Sequence, residues 1–393
     1  MKSIYLDYAA TTPVDPEVFK AMLPYFTEHF GNPSSLHSFG QEAKRAVETA
    51  RASVASLIGA ETEEIVFTSG GTESDNFALK GAAAARRDKG NHIITTAIEH
   101  HAVLETCRDL EQQGCRVTYL PVDRDGVVDP DAVKRAVTDK TIMISIMHAN
   151  NEVGTIQPLA EIGEISRARD IYFHTDAVQT FGHIPIDVNE LNVDFLSASG
   201  HKLYGPKGVG IIYIRKGTKV APLLRGGGQE KGRRSSTHNV PGIVGMGKAA
   251  ELSGKSLQEK AKFIGALRDK LIRGVLENID ETRLNGHPTQ RLPNNVNITI
   301  NYIEGEAMLM NLDMEGIACS SGSSCSSASS EASHVLAALG VSPSLPHGSL
   351  RFSLGKATTE ADIDTVLRVL PRSVRNLRSL SPLYRQREKL GRR

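Results

Sequence analysis

Two rhythms of hydrophobic and polar positions alternate through the middle of the chain. From about residue 63 to residue 214, short β-branched runs read as strands: "EIVFT", "HIITT", "RVTYL", "TIMISIM", "IYFHTDA" and "VDFLSAS". Between the earlier ones lie longer stretches, such as "HAVLETCRDLEQQG" and "PDAVKRAVTD", whose apolar residues recur at helical spacing. Strand and helix in alternation predict crossover units, a mostly parallel sheet and helices on both of its faces. Upstream, "EVFKAMLPYFTEHF" and "GQEAKRAVETARASVASLIG" predict two helices, the second closing on Gly59. After Thr237 the texture changes. A long helix is expected from about Pro241 to Glu277. Then come a strand "NNVNITI", a helix "GEAMLMNLDME", a Cys-containing loop, a helix "EASHVLAALG", a strand "SLRFSL" and a final helix "TEADIDTVLRVLPRSVRNLRSL". That mixture predicts a smaller α+β unit, and a length of 393 residues also favours two packed units over one.

Charge narrows the function classes. With 46 basic against 45 acidic residues the net charge is +1, which leaves no electrostatic footprint for nucleic acid or an anionic membrane. The opening "MKSIYLDYAATTPVDPE" meets Asp7 too early for the apolar core of a signal peptide. No apolar run approaches the roughly 18 residues that span a bilayer. Cys107, Cys115, Cys319 and Cys325 form no CxxC pair, so neither a disulfide framework nor a metal site is suggested, and a reducing cytoplasm is expected. Two of the four lie in "GIACSSGSSCSSASSEASHVLAAL". A buried cysteine wants apolar neighbours, and Cys325 has none in sequence. The segment reads either as a flexible Ser/Gly linker or as a loop carrying a reactive thiol. Its flanking elements are only a loop apart, too close to separate domains.

Four polar signals fall where strands end, the place where open parallel sheets bind ligands. In "FTSGGTESDNFALKG" a strand ends, Gly70 and Gly71 turn the chain, and a helix opens at Thr72; such a helix start attracts phosphate, although Ser/Thr caps are common without any ligand. In "YFHTDAVQTFG", Asp176 either caps the next turn or stands against a ring nitrogen. In "SASGHKLYGPKGVGIIYI", Lys202 follows a strand and a tight turn, where partial desolvation suits a Schiff-base lysine, whereas most lysines are simply solvated. In "TTAIEHHAVLETC", His100 or His101 starts a helix and could stack on a ring and move protons. A phosphate cradle, a pyridinium partner and a Schiff-base lysine are the groups that pyridoxal 5'-phosphate (PLP) requires.

Taken together with "YLDYAATTPVDPEV", "FGNPSSLHSFG", "HANNEVGTIQP", "RGGGQEKGRRSST", "SSGSSCSSAS" and "RFSLG", these motifs make nearly the whole chain resemble the cysteine desulfurases of the NifS/IscS class. The resemblance implies an α/β PLP-dependent transferase of fold type I. Its large domain, residues 15–257, would carry a mainly parallel seven-stranded sheet. A small domain, residues 258–393 joined by residues 1–14, would carry a catalytic loop at 319–332. It further implies that Lys202 bears PLP, that Asp176 pairs with the pyridine nitrogen, and that Gln179 and Asn151 lie near the ring oxygen and substrate. His100 would be the stacking histidine. Gly71, Thr72, Ser199 and His201 would hold the phosphate, and Thr237 would reach the phosphate of a neighbouring subunit, making a homodimer. Arg351, otherwise readable as a surface residue, would clamp the substrate carboxylate. Cys325 falls on the nucleophile that takes sulfur from L-cysteine as a persulfide, leaving L-alanine. An iron-sulfur scaffold or a sulfur-carrier protein would receive the sulfur. Cys319 is expected to be a buried bystander or else a second thiol that partners Cys325. The basic tail "YRQREKLGRR" reads as a solvated end or a docking strip for an acidic partner. The rival readings are a selenocysteine lyase or other PLP lyase of the same fold, and a non-catalytic PLP-fold subunit.

Overall fold

The computed structural model describes residues 3–321, 333–341 and 347–391. At its centre seven strands lie side by side in the order Ile65–Thr68, Gly210–Ile214, Phe195–Ser199, Tyr172–Asp176, Thr141–Ser145, His92–Thr96 and Arg116–Leu120. Gly210–Ile214 runs antiparallel to both its neighbours; every other pairing in the sheet is parallel. Six of these strands are buried along their whole length, and only the edge strand Arg116–Leu120 is partly exposed. Burial on both faces explains why their sequences read as short runs without a clean polar/apolar alternation. The period of two survives in where the side chains go. Ile65, Phe67 and Ile211 join a core shared with the Ser38–Leu57 and Val240–Gly254 helices. Val66 and Ile212 join one shared with Gly71–Ala85 and His101–Gln112.

A second, antiparallel sheet orders His347–Ser353, Asn295–Asn301 and Thr282–Leu284. Leu271, Val275, Ile298, Phe352, Val366 and Leu370 form its core with the helices Leu257–Asn278 and Glu360–Leu380. Near the amino end, Ile4–Tyr5 pairs in parallel with Ile317–Ala318, and Leu6 joins this same core. No helix among the described residues is long and apolar enough to cross a membrane.

Four features depart from the sequence-based expectation. The helix expected over "EVFKAMLPYFTEHF" is two short ones, Pro16–Met22 and Pro24–Thr27, because Pro24 has no amide to continue the first. The helix expected from Pro241 to Glu277 is two helices, Val240–Gly254 and Leu257–Asn278, interrupted at Lys255 and Ser256. Apolar residues continue across the break, yet Ile243, Met246 and Ala250 serve the first core while Ile264, Leu267 and Leu271 serve the second. The strands Ile4–Tyr5, Thr282–Leu284 and Ile317–Ala318 are too short to leave a periodic signal. The tail continues as a further helix, Pro382–Gly391, begun by a proline in its first turn.

Close approach of two helices fixes the first core. A Cβ on Gly247 would lie 2.5 Å from the Cα of Ala50 in the opposing helix. Glycine to alanine within a helix ordinarily gains about 1 kcal/mol. Here the clash is with backbone, and overpacking of that kind costs about 1–3 kcal/mol. Gly247→Ala is therefore expected to lower stability by up to about 2 kcal/mol, read as a fall in the urea midpoint against wild type. A midpoint raised by the substitution would show that the helices can separate without loss.

Candidate active site

Side chains that cannot perform polar chemistry inside a sheet buried on both faces can do so where its strands end. After Thr68 the chain turns through Gly70 into the helix Gly71–Ala85, which has no side-chain cap, so its first amides are suited to an anion. Two glycines make that turn possible. A Cβ on Gly210 would lie 2.6 Å from Gly70 Cα, and one on Gly71 would lie 2.6 Å from Val178 Cγ2. Beyond His92–Thr96, His100 caps the helix His101–Gln112, its Nδ1 accepting from the Ala102 amide at 3.1 Å. That bond sets the tautomer by placing the ring proton on Nε2. Between the two lies Glu99, fully buried, accepting from Thr96 Oγ1 at 2.6 Å and from the Met147 amide at 3.1 Å. Burial pushes its carboxyl up to about 8.

Asp176 ends its strand with Oδ1 accepting from the Val178 amide at 2.8 Å. Burial, reinforced by the charge of Asp75, pushes it up to about 6. Phe195–Ser199 runs into a single turn, Gly200–Lys202. There His201 Nδ1 meets Thr11 Oγ1 at 3.1 Å, and burial, then the nearby Lys202, pushes the imidazole down to about 4, so it is neutral. Lys202 Nζ donates to the carbonyls of Ala9 and Ala10, the latter at 2.8 Å. Gln179 Nε2 donates to the same Ala9 carbonyl at 3.2 Å. Arg351 comes from the smaller sheet and is only 2% exposed, which removes the surface reading. Its two terminal nitrogens donate to the Asn151 carbonyl at 2.9 Å and to Asp7 Oδ1 at 3.0 Å.

Gly71, Thr72, His100, Asn151, Asp176, Gln179, Ser199, His201, Lys202 and Arg351 line one cavity of about 360 Å³. Of the histidine pair, His100 is the one that lines it; His101 is half-exposed beside Glu105 and His334. Thr237 does not line it and sits exposed in the loop before the Val240–Gly254 helix. Cys325 lies outside the described residues. The cavity also has walls that the sequence reading did not single out: Ala9, Ala10, Asp75, Met147 and Val178. Asp75 was open to discovery, since Gly71 and Asp75 stand four apart on one helix face. Ala9 and Ala10 act through backbone carbonyls, for which no side-chain pattern exists.

Comparison with known proteins decides the family. Residues 4–366 match the family described as Aminotransferase class-V. The chain belongs to the class-V aminotransferase family. Within it, the chain is 59% identical over 382 residues to "Cysteine desulfurase IscS" of Methanosarcina thermophila, covering 97% of this chain and 94% of that one. It is 55% identical to the protein of the same name from Dictyoglomus turgidum, covering 100% and 99%. Among solved structures, a "NIFS-LIKE PROTEIN" superimposes with a TM-score of 0.89 at 41% identity, over 95% of this chain and 100% of that one. The fold is accordingly that of the PLP-dependent transferases of type I, and the family's cofactor is PLP. The cavity fits that group on its own evidence. The helix opening at Gly71 offers uncapped amides to an anion, and Asp75 Oδ1 is a buried carboxyl oxygen on the cavity wall without a hydrogen-bond partner among the described residues.

Glu99 gives this class-V site a testable pH signature. The folded state keeps a proton on Glu99 up to about pH 8, whereas an unfolded glutamate releases it near 4.5. The resulting stability is complete below 4.5 and is lost as pH rises through 8. Glu99→Gln keeps the neutral shape and has no such decline. The stability of wild type relative to the variant, taken from urea midpoints, is expected to fall between about pH 5 and about pH 8.5. A difference independent of pH would mean that Glu99 is ionised in the fold.

Proposed function

We infer that the chain is a PLP-dependent cysteine desulfurase, which converts L-cysteine to L-alanine and passes the sulfur on. The observation that carries this reading is the convergence of Lys202, Asp176, an uncapped helix start and buried Arg351 on one cavity. In support, relatives at 59% and 55% identity bear the name cysteine desulfurase, and "SspA in complex with cysteine" superimposes with a TM-score of 0.79 at 40% identity over 90% of this chain and 99% of that one.

In this reading Lys202 Nζ is the Schiff-base amine, Asp176 faces the ring nitrogen, and Gln179 and Asn151 lie near the ring oxygen and substrate. The first amides at Gly71 and Thr72, with Ser199 and His201, hold the phosphate. A neutral His201 suits that role as a hydrogen-bonding group whose position Thr11 fixes. When bound, PLP supplies an electron sink for bond changes next to the substrate amine. Arg351, pinned by the Asn151 carbonyl and Asp7, takes the substrate carboxylate through its planar fork. Lys202 Nζ and His100 Nε2, both on the cavity wall, would hold and move protons during the reaction. The Cys325 thiolate attacks the substrate sulfur: an S–S bond forms, the C–S bond breaks, and the carbon fragment gains the proton that makes it alanine. The enzyme is left with a persulfide, which an iron-sulfur scaffold or sulfur-carrier protein removes.

Thr237 is assigned to the phosphate of a second copy, consistent with its position outside this chain's own cavity, so the working unit is a homodimer. Residues 15–257 act as the cofactor-binding domain, and residues 258–393 with 1–14 as the smaller one. The reducing cytoplasm is the setting that keeps Cys325 a thiol.

Wild type supplied with L-cysteine and a thiol reductant is expected to release alanine and sulfide in equal amounts. Cys325→Ala should release neither while keeping its yellow cofactor. Undiminished sulfide from the variant would remove Cys325 from the reaction.

A further inference from the structure

Beside Asp176 lies a second buried acid that the roles above do not use. Asp75, on the Gly71–Ala85 helix, is 1% exposed and lines the same cavity as Asp176 and Lys202. Among the described residues its Oδ1 has no hydrogen-bond partner, and His174 Nε2 stands 3.5 Å from it. The nearby Ser197 favours its ionised form, against the larger effect of burial. His174 gives no compensating charge. It is fully buried, its ring nitrogens engaged by Ser145 Oγ at 2.8 Å and Ser197 Oγ at 3.0 Å, and burial pushes it down to about 4. Glu99, also close enough to feel both aspartates, keeps its proton to about pH 8. His100, on the same cavity, favours the ionised form of Asp75 and of Asp176.

The position needs an explanation. Asp75 lies inside a helix, where aspartate is a poor former, and caps nothing. A buried carboxyl without a strong partner is costly, and an uncharged side chain of similar size would fill the space without that cost. The cost is recovered when a cation enters the cavity. A protonated ring nitrogen at Asp176 is such a cation, and its attraction to a second carboxylate is strong in a site removed from water.

We propose that Asp75 is a positioning residue acting through Asp176: its carboxylate supplies a second negative charge at that end of the cavity and so keeps the cofactor's ring nitrogen protonated. The inference rests on the assignment of Asp176 to that nitrogen. Electron withdrawal by the ring depends on this proton, so Asp75 tunes the cofactor without touching the substrate.

The test uses holoenzyme reconstituted with PLP carrying an isotope label at the ring nitrogen, in wild type, Asp75→Asn, Asp75→Glu and Asp176→Asn. The nitrogen NMR shift reports protonation directly, and equilibrium dialysis reports PLP affinity. Asp75→Asn is expected to move the shift toward that of neutral pyridine and to weaken PLP binding about tenfold, the equivalent of one pKa unit. Asp75→Glu, which keeps the charge, should retain the protonated signal, whereas a pure packing role would disturb both variants alike. If Asp176→Asn moves the shift and Asp75→Asn does not, the proposal is overturned while the Asp176 assignment survives. If neither moves it, the assignment fails and the proposal with it. Should Asp75→Asn not fold, Asp75→Ser, smaller and equally uncharged, is read by the same criteria.

Discussion

A sheet covered by helices on both faces confines polar chemistry to the ends of its strands, and the remaining features of this site stem from that constraint. Phe195 and Leu196 are sealed in separate cores on opposite faces of the sheet, while Ser199, the last residue of their strand, lines the cavity. The same low-dielectric surroundings that stabilise the fold govern the site's protons. Burial raises Asp75, Glu99 and Asp176 and lowers His148, His174 and His201. All six shifts favour the uncharged form; of these groups Asp75, Asp176 and His201 line the cavity, where a charged ligand would meet them.

The amino-terminal segment ties the two cores together across this site. Leu6 belongs to the core of the smaller sheet, and the Ala9 amide donates to Ser353 Oγ at 2.8 Å. A few residues on, Thr11 meets His201, and the Thr12 amide donates to the His201 carbonyl at 3.0 Å. Asp7 holds Arg351 from one side, and the Ala9 and Ala10 carbonyls hold Lys202 from the other. One short segment of chain thus sets the spacing between Lys202 and Arg351. A second tether fixes the loop that precedes Thr237. Arg51 reaches Glu230 through two nitrogens at 2.6 and 2.9 Å, and His238 joins at 2.6 Å. Burial alone would raise the Glu230 carboxyl, but the bonds from His238 and Arg51 outweigh it and hold it at about 2. Glu230 and Lys231 have φ of 50° and 56°, a left-handed conformation costing about 1–3 kcal/mol at each residue. Losing one partner of this buried pair would leave a charge uncompensated at a cost of about 3–5 kcal/mol, so the loop is held in that conformation.

Most of the architecture was legible because its signals are local. Six of the seven central strands could be read as short runs bounded by polar turns, and Asp176 and Lys202 could be placed after them by order, whereas Ser199 entered only through the resemblance. What escaped was set by tertiary context. The break at Lys255 is invisible in the sequence pattern, since apolar residues recur on both sides of it and only their packing into different cores separates the halves. The burial of Arg351 depends on Asp7, 344 residues away in the chain. Asp75 carried a helical-spacing clue, but its meaning depends on His174 and Asp176 from another strand. Thr237 was readable only through the motif around it.

The cysteines show how burial assigns reactivity. A thiol must become a thiolate to act as a nucleophile, and an apolar setting opposes that step. Burial pushes Cys107 up to about 12, and Cys115 is raised for the same reason. Cys319, following the strand Ile317–Ala318, packs against the core of the smaller sheet, and burial, with Asp7 beside it, pushes it up to about 12 as well. None of these three is poised as a thiolate, which supports the bystander reading of Cys319 over that of a second reactive thiol. Desulfurase chemistry needs a cysteine free of such packing, and the one whose sequence neighbours are serines is Cys325. The opposition between packing and reactivity thus accounts for a thiol in a stretch with so few groups able to bury it.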